Sequence, residues 1–322
     1  MNHAIRVHEH GGPDKLVWEE VPLPHPKPGE VLVRHGAVGL NYIDVYFRTG
    51  LYKAPSMPVT IGMEGAGTVE AVGDGVTELK VGDRVAYAGA LGAYAEARAL
   101  PADKVVKVPE GIDFTQAAAM MLQGMTAQFL VKRTYPVKKG DAILVHAAAG
   151  GVGSILVQWA KHLGATVIGV VSTPEKAALV RSLGADHALL TSENIPARVK
   201  EITSGAMLPV VYDSVGRDTF LTSLDCLRPF GLMISYGNAS GPVTTDLGVL
   251  AAKGSLYVTR PTLNTYTAKR EDLVATAADL FAAVKSGAVK IAVNQQVSLK
   301  DAAQAHIALE GRKTTGSTVL MP

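Results

Sequence analysis

The chain has 322 residues, 48% of them hydrophobic, with 31 basic and 29 acidic side chains and a formal charge of +2. That length fits two ordinary domains, and the even spread of both signs excludes the basic stripe or acidic tract of a protein that binds nucleic acid or an anionic membrane surface. A single cysteine, Cys226, leaves no internal disulfide and no Cys-rich metal site, and the polar residues 1–20 carry neither a signal peptide nor a spanning segment, so a cytoplasmic protein is expected.

From residue 4 to about residue 100 the pattern is short apolar strands, at 16–18, 31–34, 67–72, 83–86 and 94–97, broken by Pro22, Pro24, Pro26 and Pro28 and by Gly73, Gly75 and Gly82. Strands this short, with such corners, predict a small antiparallel barrel. One helix interrupts it: residues 41–50 open on the capping type Asn41 and close on Gly50, setting Tyr42 and Tyr46 four apart on one face. Those rings either pack or line a site. Residues 113–132 read as a helix interrupted at Gly124, leading out of this domain.

Residues 142–146 are an apolar run without alternation, followed by the cluster Gly150-Gly151-Val152-Gly153 and apolar positions Ile155, Trp159 and Leu163 at helical spacing. This is a buried parallel strand, a tight turn and a helix. Gly150 admits a pyrophosphate to the backbone, Gly153 lets the helix sit close on the strand, and the helix start offers unpaired N–H groups to phosphate charge. Ala148 stands where the first glycine of such a turn would be. The next strand, 166–171, ends where an NAD enzyme carries an acid for the ribose, ~20 residues on. Here it ends in Ser172-Thr173-Pro174-Glu175-Lys176, hydroxyls first and a lysine one turn away, which favours NADP(H) over NAD(H). Ser172, three before Glu175, also reads as a capping box.

The βα alternation continues with strands at 188–190, 210–213, 232–236 and 255–258 and a helix at 219–227, giving the six strands of a doubly wound parallel sheet. Ligands sit beyond the carboxyl ends of such strands, so Ser214, Gly237, Asn238, Thr259 and Arg260 point to a cofactor crevice. His146 reads as a polar neighbour of the glycine turn, and Cys226 as a buried, unreactive thiol in mid-helix. Helices at 271–286 and 300–310 and strands at 289–297 and 317–320 are expected to return to the first domain.

Five ordered segments, 39–44 (GLNYID), 62–67 (GMEGAG), 81–85 (VGDRV), 146–153 (HAAAGGVG) and 211–217 (VYDSVGR), together resemble the medium-chain dehydrogenase/reductase superfamily and, within it, the NADPH:quinone oxidoreductases related to zeta-crystallin. The resemblance implies an α/β protein in which residues 1–124 form a GroES-like β-barrel catalytic domain, 125–258 a Rossmann NADPH-binding domain and 259–322 a return to the first, with a cleft between the two and a homodimeric assembly. Zinc members of that superfamily place a histidine where Met63 stands and a cysteine near Gly39 and Asn41; those ligands are missing, so no catalytic metal is expected.

The same resemblance implies site residues. Asn41, Tyr46 and Tyr52 would line the acceptor pocket, Asn41 and a tyrosine hydroxyl donating hydrogen bonds to a quinone oxygen, with Asn41 also beside the cofactor. Thr126 and Asn238 would meet the nicotinamide half. Gly150, Gly151, Val152 and Gly153 would hold the pyrophosphate, and Ser172, Thr173 and Lys176 the adenosine 2′-phosphate. Thr191 stands where bacterial relatives have a tyrosine beside that phosphate. Ser214, Gly237 and Arg260 complete the crevice, while Arg312 reads equally as a phosphate ligand or a surface cation. The expected activity is hydride transfer from NADPH to a quinone. The alternatives are an NADPH-dependent enone or enoyl reductase on the same scaffold and, from another class, a crystallin-like NADPH- or RNA-binding protein, disfavoured by the near-neutral charge.

Overall fold

Strand-length apolar runs cut by glycine and proline build the first part of the chain in the computed structural model, which describes residues 1–322. The strands are β1 (Asn2–Val7), β2 (Val17–Val21), β3 (Glu30–Leu40), β4 (Val59–Thr60), β5 (Glu64–Val72), β6 (Arg84–Ala88), β7 (Ala97–Pro101) and β8 (Val106–Lys107), with helix α1 (Tyr42–Thr49) between β3 and β4. The helix α1 starts beyond Asn41, in extended backbone, and stops at Gly50, whose φ of 82° suits glycine. The stretch expected as a strand at 94–97 is not one: β7 begins at Ala97, and Ala95 makes only an isolated bridge to Ala4. Tyr94 is held there by backbone bonds to Ile5 (2.8 Å) and Ile61 (2.9 Å) and by side-chain bonds to Asp44 and His306.

Helix α2 (Phe114–Phe129) follows, capped by the Asp113 carboxylate, which accepts from the Gln116 N–H at 2.7 Å. It runs unbroken through Gly124, contrary to the expected interruption, and continues into a π-helical turn at Leu130–Thr134. The glycine serves packing: a Cβ on it would lie 2.5 Å from Leu280 Cδ1.

Next come β9 (Ala142–His146), α3 (Gly151–His162), β10 (Thr166–Val171), α4 (Pro174–Ser182), β11 (His187–Leu190), α5 (Ile195–Ile202), β12 (Leu208–Asp213), α6 (Phe220–Asp225), β13 (Leu227–Ser235), α7 (Gly248–Ala252), β14 (Tyr257–Thr259) and α8 (Leu263–Tyr266). The six strands are all parallel in the order β11-β10-β9-β12-β13-β14. Continuous apolar strands are what a sheet covered on both faces requires, and Leu144, Ile168, Val170, Val211 and Met233 form its core with Phe220 and Leu224 of α6. Cys226 is the residue that ends α6, not a mid-helix one; it is fully buried, and burial pushes its thiol up to about 12. Helix α4 is capped by Thr173, whose Oγ accepts from the Lys176 N–H at 3.3 Å, so the expected box on Ser172 lies one residue too early.

The chain ends with α9 (Arg270–Lys285), β15 (Val293–Ser298), α10 (Ala302–Glu310) and β16 (Ser317–Met321). β16 pairs antiparallel with β3 and parallel with β15, completing a seven-stranded sheet; β1, β2 and β4 form a separate three-stranded one. Two units result. One comprises residues 1–125, 267–281 and 291–322, and the other residues 126–266 and 282–290. No helix is long and apolar enough to cross a membrane.

Candidate active site

The parallel sheet reverses direction of winding between β9 and β12, which are neighbours although β10 and β11 intervene in sequence. Ligands bind beyond the strand ends at such a point. Gly150 is in extended backbone immediately before α3, and α3 presents the half-buried Gly151 and Val152 in its first turn. Gly153 is required by packing: a Cβ there would stand 2.4 Å from the Ala147 carbonyl oxygen. The missing first glycine of the turn is replaced by two adjustments. Ala147 takes a left-handed φ of 50°, and Gly169 on β10 leaves room for the Ala148 methyl, which would lie 3.0 Å from any Cβ added there. The helix N-terminus with no side chain in front of it is a cradle for phosphate.

At the end of β10, Ser172 is exposed, Thr173 and Lys176 are half-buried, and the Thr191 N–H donates to the Val171 carbonyl at 2.8 Å. The structure thus brings Thr191 beside the Ser172–Lys176 segment, a patch of hydroxyls and one cation with no carboxylate of its own at the strand end. Glu175 in the first turn of α4 is held below the usual carboxylate range by the Thr173 hydroxyl.

The turn after β12 is built on Asp213. Its buried carboxylate accepts from the backbone N–H of Val215 (2.8 Å) and Gly216 (3.1 Å), and from the hydroxyls of Thr219 and Ser223 at 2.7 Å each. Ser223 Oγ also lies 3.1 Å from His146 Nε2. Because the single Ser223 hydrogen goes to Asp213, His146 donates from Nε2, and burial holds its ring neutral by lowering its pKa. His146 therefore ties the end of β9 to the turn carrying Ser214. Gly237 is packed on that turn, a Cβ being 2.3 Å from the Ser214 carbonyl oxygen. Arg260, beyond β14, donates to the Ser235 carbonyl at 2.8 Å, and its other terminal nitrogen is 3.2 Å from the Asn238 amide oxygen when that amide faces it. Ser214, Gly237, Asn238 and Arg260 are thus one cluster at the ends of β12, β13 and β14. Thr126, in α2, is buried in the same unit.

In the other unit, Tyr46 is buried between two rings, its centroid 5.5 Å from that of Tyr42 and 5.1 Å from that of Tyr52. The Tyr52 N–H donates to the Tyr46 carbonyl at 3.0 Å, which fixes the loop after α1 against the helix. Asn41, one residue before α1, is buried, and both ends of its amide are engaged: Nδ2 donates to Glu64 Oε2 at 2.6 Å and Oδ1 accepts from Gln123 Nε2 at 3.1 Å. One N–H of that amide remains for a ligand. Arg312, after α10, has a left-handed φ of 56° and is exposed; its charge acts on Tyr42, which its unit also contains.

Residues that the motifs contain but to which sequence reasoning gave no role cluster around Asn41. Glu64 is fully buried, its other oxygen accepting from the Leu122 N–H at 2.7 Å, and burial pushes its carboxyl up to about 8. Asp44 is also fully buried, accepting from the Asn41 N–H at 2.9 Å and the Tyr94 hydroxyl at 3.0 Å, with burial raising it to about 7. Tyr94 Oη lies 3.0 Å from His306 Nε2, and His306 Nδ1 is 3.0 Å from Arg48, which pairs with Glu310 at 2.8 Å. The available signal was a carboxylate in an apolar strand, since a buried acid needs donors. Metal chemistry does not fit these residues: no three His, Cys, Asp or Glu side chains stand together as a ligand set, and the buried Met63, in the bend just before β5, is no metal ligand of the expected kind.

Comparison with known proteins follows the same lines. Residues 27–110 match the family described as alcohol dehydrogenase GroES-like domain, and residues 151–283 that described as zinc-binding dehydrogenase. The chain is 54% identical to a quinone oxidoreductase of Pseudomonas aeruginosa, with all of both chains covered. It is similar to a crystal structure of Escherichia coli quinone oxidoreductase complexed with NADPH, with a TM-score of 0.98 and 48% identity over 99% of this chain and 100% of that one. A 2-haloacrylate reductase of a Burkholderia species is 47% identical over 100% of this chain and 99% of the relative.

Proposed function

Because the chain belongs to the quinone oxidoreductase family of the medium-chain dehydrogenase/reductase superfamily, we infer that it is an NADPH-dependent oxidoreductase that reduces a quinone. The observation that carries this reading is the end-to-end likeness, at 54% identity, to a quinone oxidoreductase. The glycine cradle before α3 and the acid-free end of β10 fit the cofactor that the Escherichia coli relative was crystallised with. When bound, NADPH supplies the hydride; the protein supplies position and charge stabilisation.

The N–H groups of residues 151–153 hold the pyrophosphate, which Gly150 admits by carrying no side chain, and Ser172, Thr173, Lys176 and Thr191 hold the 2′-phosphate. Thr126, Ser214, Gly237, Asn238 and Arg260 orient the nicotinamide half, and Arg312 contributes positive charge to the phosphates. Asn41 donates its remaining N–H to the acceptor oxygen as negative charge develops there, while Tyr46 and Tyr52 give a flat aromatic acceptor a surface to stack on. The protein works as a homodimer in a reducing cytoplasm, a setting its single cysteine suits.

The test of the cofactor half is titration of NADPH and NADH by nucleotide fluorescence, on the wild type and on Lys176→Ala. The substitution removes a charge-assisted contact worth roughly 1.5–3 kcal/mol, so NADPH affinity falls about tenfold or more while NADH affinity stays within about twofold. Equal loss for both nucleotides would remove Lys176 from the 2′-phosphate site. The 2-haloacrylate reductase relative supports a second reading, reduction of an activated C=C bond. Initial rates on a naphthoquinone and on a simple enone separate the two, and turnover of the enone alone would displace the quinone.

A further inference from the structure

The Asn41 amide is the middle of a buried chain of four side chains within one unit. Ser317 on β16, Gln123 on α2, Asn41 before α1 and Glu64 on β5 are each less than a tenth exposed. Ser317 Oγ lies 2.7 Å from Gln123 Oε1 and 3.1 Å from the Ala119 carbonyl oxygen. Gln123 Nε2 donates to Asn41 Oδ1, and Asn41 Nδ2 to Glu64 Oε2. Ser317 gives its one hydrogen to Gln123 Oε1, because the Ala119 carbonyl, inside α2, already accepts an N–H of the helix; the chain as it stands therefore runs toward an ionised Glu64. Turning both amides over reverses it. Ser317 then donates to Ala119 and accepts from Gln123, Gln123 accepts from Asn41, and the Asn41 oxygen accepts from Glu64. That last bond needs a proton on Glu64.

We propose that Glu64 and Ser317 are positioning residues for Asn41, the two ends of a relay that turns the Asn41 amide according to whether Glu64 carries a proton, and that the protonated arrangement is the one that reduces the acceptor. The proposal rests on Asn41 being the acceptor's hydrogen-bond donor. A neutral Glu64 removes a buried negative charge from beside the oxygen on which negative charge develops. Its O–H on the Asn41 carbonyl also polarises the amide and strengthens the remaining Asn41 N–H as a donor. The ionised arrangement does the reverse on both counts. Other ionisable groups around Glu64 are Asp44 on α1, Tyr87 on β6 and Tyr94 after it; α2 brings no charge, and His35 on β3 is bonded to the Tyr87 hydroxyl at 2.7 Å. Burial raises Glu64 to about 8, so the protonated arrangement is populated at neutral pH.

The experiment is the pH dependence of kcat with saturating NADPH and a naphthoquinone, from about pH 6.5 to about pH 9, for wild type, Glu64→Gln, Glu64→Ala, Ser317→Ala and Asn41→Ala, with NADPH affinity measured on each as a check of folding. The amide introduced by Glu64→Gln donates to the Asn41 oxygen at every pH. Wild-type kcat therefore falls about tenfold on the alkaline side, given a Glu64 pKa of about 8, and that fall is absent in Glu64→Gln. Glu64→Gln also recovers turnover that Glu64→Ala loses. Ser317→Ala removes one hydrogen bond from the ionised arrangement, Ser317 to Gln123, and two from the protonated one, Gln123 to Ser317 and Ser317 to Ala119, so it lowers kcat about threefold to tenfold near neutral pH. An alkaline fall that persists unchanged in Glu64→Gln, or an unaltered kcat in Ser317→Ala, overturns the relay. If Asn41→Ala leaves both kcat and the acceptor KM at wild-type values, the assignment of Asn41 fails first; if Asn41→Ala is impaired and Glu64→Gln keeps the wild-type profile, the relay alone fails.

Discussion

Asp44 and Glu64 are acids inside the motifs of the first unit that, unlike Asp83, are fully buried. A motif supplies residue types in order; it does not say that a carboxylate is sealed from water. Their burial has a consequence for stability. The usual values for these acids, 3.8 and 4.5, rise to about 7 for Asp44 and about 8 for Glu64 in the folded chain. The folded protein therefore binds protons there that the unfolded chain has released, and stability falls as pH rises from near 4 toward 8. The contribution is complete below the unfolded values and is lost as pH passes the folded ones. His35 and His306 act on the acid side: burial lowers them from 6.5 to about 4 and about 3, so their contribution is present above 6.5 and is lost as pH falls through those values. Between about pH 7.5 and pH 8.5 the unfolded histidines have lost their protons and only the carboxyls of these four titrate, so the urea midpoint should decline across that window. Glu64→Gln should flatten the decline. A wild-type midpoint that rises with pH there would contradict the burial argument.

At the level of elements, periodicity was enough to read α1 with both its ends, the strand–turn–helix at 142–163 and the six parallel strands, because each has a long apolar pattern and a chemically distinct stop. What escaped were positions that apolar periodicity does not decide. Thr173 rather than Ser172 caps α4, since a capping hydroxyl must meet the N–H three residues on and only the helix start determines which one does. Gly124 illustrates the opposite error. A glycine in a helical pattern reads as a break, but in α2 it is the space that the buried Leu280 of α9 occupies. Gly124→Ala gains roughly 1 kcal/mol of helix propensity and loses about 1–3 kcal/mol by overpacking. The net change alone is thus uninformative. A double-mutant cycle with Leu280→Ala isolates the contact: Leu280→Ala costs about 2–5 kcal/mol in the wild type, and at least about 1 kcal/mol less in the Gly124→Ala background, where the added methyl fills part of the cavity. Additive costs in urea unfolding would mean that the glycine has no packing role.

On the scale of the assembly, the parallel sheet ends at β14, whose outer edge carries unpaired backbone groups and two exposed apolar side chains, Tyr257 at 60% and Val258 at 40%. Phe230, 70% exposed, is held beside the start of that strand by its N–H bond to the Gly254 carbonyl at 2.9 Å. An edge of this kind is a template for another strand unless something blunts it, and the three-residue strand bears no charge of its own. A second copy of the same strand, related by a two-fold axis, satisfies both the backbone and the apolar surface, because the surface is then self-complementary. The prediction is a dimer by light scattering at micromolar concentration. Placing a lysine at Val258 on each chain would set like charges against one another across the axis, at a cost of several kcal/mol, and weaken the dimer by about two orders of magnitude or more. NADPH binding in the monomeric variant separates the two roles of the domain: the phosphate cradle lies beyond the carboxyl end of β9, three strands from β14, and the exposed Val258 side chain leaves the Arg260 bond to Ser235 intact, so affinity for the nucleotide should change by less than about threefold. A wild-type monomer, or a Val258→Lys dimer as tight as the wild type, would move the self-association surface elsewhere.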